Sequence, residues 1–331
     1  MRMSDDCGIY QHSRFGAPDR RHGYCTDDTA RALSLMARLA SEGVMEAPAL
    51  KLANSYAAFL NHAWSPETGR FRNFMSFDRR WLDEGGSDDC CARALESLCL
   101  VAKDWPQGDL RDWATHLARE AMQHVSEWSS LRSQALIIKA CIAGEGTVIA
   151  EDEVRRHVYD SALLLMEALR RGRADGHSWF ESCFAYDNAR LPEALILAGE
   201  RLQDPDMLSM GLETLELVMK LQTTKQGWFA PVATSCFDTN GADHAHFDQQ
   251  PIEALATVDA CFAAWRATGD THHCHKARLA FEWFGGYNVH GLALARPEDG
   301  ICHDALTVAG VNGNHGAESI LSYHLAAASI R

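Results

Sequence analysis

Apolar residues recur at intervals of three and four along most of the chain, the pattern of helices with one buried stripe. Five segments show it most clearly: "APALKLANSYAAFLNHAW", "DLRDWATHLAREAMQHV", "EDEVRRHVYDSALLLMEALRR", "PDMLSMGLETLELVMKLQ" and "CHKARLAFEWFGG". We expect these to be surface helices. Between them lie segments richer in Ala and Leu, each opened by an acidic or polar residue, which predict inner helices.

The inner segments resemble one another, because an acid is followed closely by Ala-Arg at Arg31, at Arg93 and at Arg190. The six inner segments open at Asp28, Asp89, Ser133, Asp187, Asp248 and Gly316. Each spacing has room for one helical hairpin with its loops. We therefore predict an all-α fold, an (α/α)6 toroid that forms a single domain over residues 1–331. "GRFRNFMSFD" and "GWFAPVATSCF" predict minor β-hairpins or extended loops.

Composition and charge limit the kinds of binding partner and the cellular compartment that we expect for this chain. The chain has 47% hydrophobic residues and a formal charge of -14 without a basic block, which excludes a disordered protein and disfavours nucleic acid as a partner. Eleven cysteines in no repeated spacing predict reduced thiols. The sequence shows no apolar run of the ~18 residues that would cross a bilayer, so we expect no membrane partner and a cytoplasmic location.

Acidic residues gather at the predicted starts of inner helices, where they can cap a helix or face a ligand. Cleavage of a glycosidic bond needs two carboxyls, one of them protonated near neutral pH. Glu181 and the Asp27–Asp28 pair fit the acid, whereas Asp187 or Asp248 fits the base or nucleophile. The candidate catalytic residues are Asp27, Asp28, Glu181, Asp187 and Asp248.

Aromatic rings, acids and amides beside these residues are typical of a sugar site, since rings stack on sugars and acids or amides bind hydroxyls. The candidate substrate-binding residues are Tyr24, Trp81, Asp88, Asp89, Trp179, Tyr186, Asn188, Arg190, Trp228, Gln249, Gln250, Glu253 and Glu318. Two alternatives stay open at this point. The tryptophans can instead seal the core, and the arginines can fold back on an acid one turn away.

Other chemistries lack their motifs. His244, His246 and Asp248 alternate in a way that suits a metal, but no HExxH or Cys/His finger accompanies them. GxGxxG, GxxxxGK[ST] and GxSxG are also missing from the sequence. We expect neither a metal nor a cofactor.

Five motifs carry a family resemblance: "GIYQHSRFGAPDRRHGYCTDDTARAL", "RFRNFMSFDRRWLDEGGSDDCCARALESL", "WFESCFAYDNARLPEALILAG", "FDQQPIEALATVDAC" and "NHGAESILSYHLAA". They resemble a bacterial family of six-hairpin glycosidase-like domains that are often fused to glycosyltransferases and labelled as such. The resemblance implies the (α/α)6 toroid, a carbohydrate ligand and a separately encoded glycosyltransferase as partner. It also adds Asn314 and Ser319 to the site; Cys91 departs from the family's usual His or Gly.

Three functions follow as hypotheses. The first is a glycoside hydrolase or phosphorylase that acts on an oligosaccharide by carboxylate acid/base chemistry. The second is a non-catalytic sugar-binding or scaffold toroid that serves a glycosyltransferase. The third is a sugar epimerase or isomerase with a histidine base at C2, for which His12, His22, His177 and His246 are available.

Overall fold

A computed structural model describes residues 3–233, 235–236 and 247–331. Helices dominate this part of the chain. In order they are α1 (Thr26–Ser41), α2 (Ala47–Ala63), α3 (Asp88–Asp104), α4 (Asp109–Met122), α5 (Leu131–Gly144), α6 (Glu151–Ala174), α7 (Arg190–Leu202), α8 (Pro205–Leu221), α9 (Pro251–Thr268), α10 (His272–Glu282) and α11 (Ala317–Ser329). The predicted all-α class is confirmed.

Strands are two residues long and pair as antiparallel ribbons in the loops between helices. The pairs are β1 (Ser13–Arg14) with β2 (Ala17–Pro18), β3 (Tyr24–Cys25) with β6 (Phe74–Met75), β4 (Trp64–Ser65) with β5 (Arg70–Phe71), β7 (Cys183–Phe184) with β8 (Ser235–Cys236), β9 (Ala295–Arg296) with β10 (Ile301–Cys302), and β11 (Leu306–Thr307) with β12 (Gly310–Val311). Both segments predicted as hairpins contain such strands.

The chain falls into two compact units, residues 1–158 and 159–331. In the first unit α1, α3 and α5 pack side by side, with α2 against α1 and α4 against α3. In the second, α7, α9 and α11 pack side by side, with α8 against α7 and α10 against α9. The alternation of inner and outer helices is thus present in each unit, and the single domain over 1–331 stays a prediction.

Burial explains the difference between the two kinds of helix. Inner helix α9 is buried almost all round, from Pro251 to Ala264, because its sequence is rich in Ala and short apolar residues. Its partner α10 buries only His273, Ala277 and Ala280, which lie along one stripe. The sequence pattern therefore distinguishes the helices that carry the site from those that cover them.

The acids at the starts of α1 and α3 are not the N-caps of these helices. Cys25 caps α1 and Ser87 caps α3, each accepting a hydrogen bond from the backbone N–H three residues on. Ser130 caps α5 in the same way. Since these caps already accept the backbone N–H bonds, the carboxylates of the first turn have other partners.

The prediction that every cysteine is reduced is wrong. Cys183, in β7, takes part in a disulfide. Nine other cysteines are free thiols, and most of them are buried. Burial raises the pKa of the thiols of Cys25, Cys90 and Cys99 well above the ordinary value, so these residues serve as packing. Among the described helices, none has the length and apolar character to cross a membrane.

Gly172 allows the segment that precedes β7 to pack on α6. A Cβ at this position would lie 1.8 Å from the carbonyl oxygen of Trp179. We predict that Gly172→Ala lowers the free energy of unfolding by about 1–3 kcal/mol, because backbone must shift to relieve the clash. Gly285→Ala is the matched control, since a Cβ there meets nothing within 4 Å. Urea denaturation checks both variants; equal stability of the two would contradict the prediction.

Candidate functional site

Asp27 joins the starts of α1 and α3 in the first unit. Its Oδ2 accepts from Arg31 Nη1 at 2.9 Å, and its Oδ1 accepts from Arg93 Nε at 2.7 Å. Arg31 also contacts Oδ1 of Asp28 at 3.1 Å, while the Cys25 thiol donates to Oδ2 of Asp28 at the same distance. Arg31 folds back on the acids one turn away, as the spacing predicts. These contacts favour the ionised form of both aspartates.

Asp88 and Asp89 join the start of α3 to that of α5. Asp88 accepts hydrogen bonds from Arg70 at 2.6 Å and from the backbone N–H groups of Ser129 and Ser130. Burial alone would raise the pKa of Asp88, but these hydrogen bonds outweigh burial and hold the pKa below its ordinary value. Asp89 accepts from the hydroxyl of Ser130. Asp88 therefore anchors the backbone before α5, and Asp89 holds the side chain of Ser130, which caps α5.

Arg190 lies at the centre of a buried charge cluster in the second unit. Its Nε contacts Asp187 Oδ1 at 3.3 Å, and its Nη1 contacts Asp259 Oδ2 at 3.1 Å and the carboxylate of Glu193. Asp187, Arg190 and Glu193 are all buried. Asp187 has φ of 50°, a left-handed conformation that Asp and Asn adopt more readily than most residues. The turn before α7 thus directs Asp187 toward Arg190.

Glu253 lies beside Asp187 but has a different environment. Its Oε2 accepts from the backbone N–H and from the side-chain amide of Asn188, both at 3.1 Å. Its Oε1 is buried without a hydrogen-bond partner among the described residues. Burial, and next the negative charge of Asp187, raise the pKa of Glu253 from 4.5 to about 7, against the hydrogen bonds from Asn188.

The Asp187–Glu253 pair can therefore divide the roles of acid and base. Arg190 favours the charged form of Asp187, whereas Glu253 has no cation beside it among its described contacts and holds a proton close to neutral pH. Because Oε2 accepts two N–H bonds, the proton of neutral Glu253 belongs on Oε1. The sequence predicted a catalytic role for Asp187 and a binding role for Glu253; the raised pKa of Glu253 depends on burial that spacing does not reveal.

The start of α9 carries the amide and acid candidates. Gln249 is buried, accepts from Trp283 Nε1 at 2.9 Å and pairs with Leu306 of β11 through both backbone groups. Asp248 and Gln250, on either side, are exposed. The ring of Phe247 stacks on His290 at 5.2 Å between centroids. Asp248 and Gln250 are thus the candidates in this segment that solvent reaches.

The predicted aromatic residues separate into buried and accessible rings. Tyr24 and Trp179 are buried, and Tyr24 donates to Asp5 at 2.7 Å. Trp81 is partly exposed, and Trp228 is 41% exposed. Tyr186 and Glu181 have intermediate burial. Stacking on a sugar needs an accessible ring face, so Trp81 and Trp228 meet that requirement and Tyr24 and Trp179 serve the core.

A pair of histidines before α11 was missed by the sequence analysis. Nε2 of His315 lies 3.1 Å from Nδ1 of His303, and the two rings cross at 68°. His303 Nδ1 also lies 2.7 Å from the carbonyl oxygen of Asn312, which can only accept, so Nδ1 carries a proton and Nε2 is a base. Burial lowers the pKa of His303. Asn314 and Glu318, both half-buried, lie in the same segment.

The histidines considered for an epimerase are placed differently. His12 and His22 are exposed and their rings contact each other at 4.7 Å, while His177 is half-buried. His244 and His246 lie outside the described residues. Within the described residues, no group of three or more His, Cys, Asp or Glu side chains suits a metal ion.

No protein-family model matches the chain, and no curated protein matches its sequence. Solved structures do match. One is a sugar epimerase from a ruminal bacterium, with a TM-score of 0.76 and 14% identity over 99% of this chain and 92% of the epimerase. Another is cellobiose 2-epimerase from Bacillus thermoamylovorans, with a TM-score of 0.74 and 11% identity over 99% of this chain and 93% of that enzyme. A GH76 α-mannanase from Bacteroides thetaiotaomicron matches with a TM-score of 0.65 and 10% identity. That match covers 98% of this chain and 89% of the mannanase chain. This likeness confirms the predicted (α/α)6 fold class.

The Arg190 cluster predicts a large loss of stability when the cation is removed. Arg190→Gln leaves three carboxylates close together with Asp187 and Glu193 buried, so the free energy of unfolding should fall by about 3–5 kcal/mol. Arg171→Gln breaks an exposed pair with Glu167 and should cost less than about 0.5 kcal/mol. Urea titration followed by circular dichroism measures both. A loss of similar size in the two variants would refute the structural importance of the cluster.

The raised pKa of Glu253 predicts that the free energy of unfolding depends on pH. Because the pKa is raised to about 7 in the folded chain, the folded state holds a proton that the unfolded state releases above pH 4.5. The contribution of Glu253 to the free energy of unfolding is complete below about pH 4.5. It is lost as the pH rises through about 7, and the total loss is about 3 kcal/mol.

Glu253→Gln removes this titration. Relative to the parent chain, the variant should therefore gain stability progressively between about pH 4.5 and 7, and Glu167→Gln should not. Urea unfolding at several pH values measures the two differences. A constant difference between Glu253→Gln and the parent chain across this range would show that Glu253 titrates normally.

Proposed function

We propose that this chain is a carbohydrate-active enzyme of the glycoside hydrolase type, with Glu253 as the acid and Asp187 as the ionised carboxylate. The observation that carries the proposal is the buried Asp187–Glu253 pair, whose environments favour opposite protonation states. Glu253 would donate the proton on Oε1 to the glycosidic oxygen as the bond to the anomeric carbon breaks. Water would form the new bond at that carbon and lose its proton to the ionised Asp187; in a phosphorylase, phosphate would form that bond instead.

The fold supports a carbohydrate substrate without selecting the reaction. The solved structures that match include an α-mannanase and sugar epimerases. The exposed Asp248 and Gln250 at the start of α9 offer polar groups for sugar hydroxyls beside Glu253. A separately encoded glycosyltransferase as partner, and a single domain over residues 1–331, are further proposals that rest on the resemblance and the repeat.

A sugar epimerase is the second candidate, because the His303–His315 pair offers a different base. His303 has Nε2 free of its proton, and burial keeps the imidazole neutral near pH 7. In this reaction His303 would remove the proton at C2 beside the carbonyl of a reducing sugar, and a proton would return on the other face. Two of the matching structures described above are sugar epimerases.

One experiment separates the two candidates. Neutral oligosaccharides are incubated with the protein in D2O and followed by NMR, which detects new reducing ends and deuterium at C2 in the same sample. We predict new reducing ends, or sugar 1-phosphates when phosphate is present. Glu253→Gln and Asp187→Asn should each lower the turnover number at least ~100-fold.

Controls distinguish chemistry from folding in this experiment. Asp187→Asn keeps a residue type that tolerates the left-handed conformation, and Glu167→Gln changes an exposed carboxylate on α6. Turnover that survives in both Asp187→Asn and Glu253→Gln would refute the hydrolase. Deuterium at C2 that is lost in His303→Gln alone would establish the epimerase. Binding of an intact oligosaccharide without any product would leave the scaffold function.

A further inference from the structure

Five aromatic rings form a continuous row in the first unit. The centroid distances are 6.3 Å from Phe77 to Tyr10, 5.0 Å from Tyr10 to Tyr24, 6.2 Å from Tyr24 to Phe59, and 5.4 Å from Phe59 to Trp81. Backbone bridges join Tyr10 to Tyr24, Tyr24 to Met75, and Met75 to Trp81, so the strands under the row are in register. The row therefore has a fixed backbone beneath it.

An arginine lies on the ring at each end of this row. The guanidinium carbon of Arg20 is 4.8 Å from the centroid of Phe77, and that of Arg72 is 4.7 Å from the centroid of Trp81. Arg72 also donates to the carbonyl oxygen of His62 at 2.6 Å, and its Nε is buried with no hydrogen-bond partner in the described chain. Stacking holds each planar guanidinium in one orientation while its edge can still donate hydrogen bonds.

These arginines belong to a local excess of positive charge in an acidic protein. Residues 11–22 and 70–81 contain seven arginines and two acids, whereas the whole chain has 31 Lys and Arg against 45 Asp and Glu. Four of the seven have carboxylate partners: Arg21 with Asp19, Arg70 with Asp88, Arg79 with Asp6, and Arg80 with Asp78. For Arg20 and Arg72, the described contacts include no ion pair with a carboxylate.

We propose that Arg20 and Arg72, with the aromatic side chains beside them, bind the acidic groups of an anionic carbohydrate, such as an oligosaccharide of uronic acids. This surface, which we call the arginine–aromatic surface, also includes Phe74 and Phe77, which are 44% and 42% exposed. The inference goes beyond the proposed function by naming a class of ligand for a surface of the first unit.

The combination of groups favours an acidic sugar over other anions. A guanidinium binds a carboxylate through two parallel hydrogen bonds, and an exposed ring covers the apolar C–H face of a pyranose. An acidic peptide would use the arginines but gains nothing specific from the rings. Long-range repulsion by the net charge of -14 would also oppose any polyanion, so binding needs short-range contacts of this kind.

Isothermal titration calorimetry tests the proposal with a galacturonate tetramer. The comparison ligand is the same tetramer with its carboxyl groups reduced to hydroxymethyl groups. We expect the acidic tetramer to bind at least ~10-fold more tightly, since charge-assisted hydrogen bonds are lost in the reduced one. Arg20→Gln and Arg72→Gln should each weaken binding of the acidic tetramer about 10-fold and leave the reduced tetramer unaffected. The affinity of Arg72→Lys for the acidic tetramer should lie between the affinities of Arg72→Gln and of the parent chain.

Arg155→Gln, an exposed change on α6, is the matched control and should bind like the parent chain. Equal affinity for the acidic and reduced tetramers, or an equal loss in Arg155→Gln, would overturn the proposal. So would an absence of binding, or equally tight binding of a glutamate tetrapeptide. The titrations need no turnover. A chain that binds the acidic tetramer but cleaves no glycan would therefore refute the proposed hydrolase and leave this inference standing.

Discussion

Buried pairing of carboxylates with guanidinium groups is the interaction on which both units depend. Asp27 lies between Arg31 and Arg93 in the first unit, and Arg190 lies among three carboxylates in the second. Such pairs add little net stability, but removing one partner leaves a charge that is expensive to bury. These contacts therefore tie α1 to α3 in the first unit and α7 to α9 in the second.

Glu253 is an exception to this pairing, because its described contacts include no guanidinium group. Asp27, Asp28, Asp88 and Asp187 each pair with an arginine, whereas Glu253 accepts N–H bonds from Asn188, has no cation among its described contacts and has the negative charge of Asp187 beside it. A protonated form resolves that conflict without a cation. Folding thus favours the protonated form of Glu253, and this proton is the one available for donation. The packing of α7 and α9 is in this way linked to the proposed chemistry.

The sequence predicted the helices well, because Ala-rich inner segments and one-striped outer segments differ in pattern. It also predicted that Arg31 and Arg190 would meet acids within one helical turn. It did not predict that Arg93 would reach Asp27 on another helix, that Tyr24 would be buried, or that His303 and His315 would meet. These features depend on contacts between distant segments, which spacing along the chain does not encode.

The protonation state of Glu253 is the most direct test of this account. A 13C label in the carboxyl groups of glutamate, with Glu253→Gln used to assign the signal, allows a titration by NMR. The account predicts a chemical-shift midpoint near pH 7, and a lower midpoint in Asp187→Asn, where the neighbouring negative charge is gone. A midpoint near 4.5 in the parent chain would contradict it, because both carboxyls would then be ionised at neutral pH.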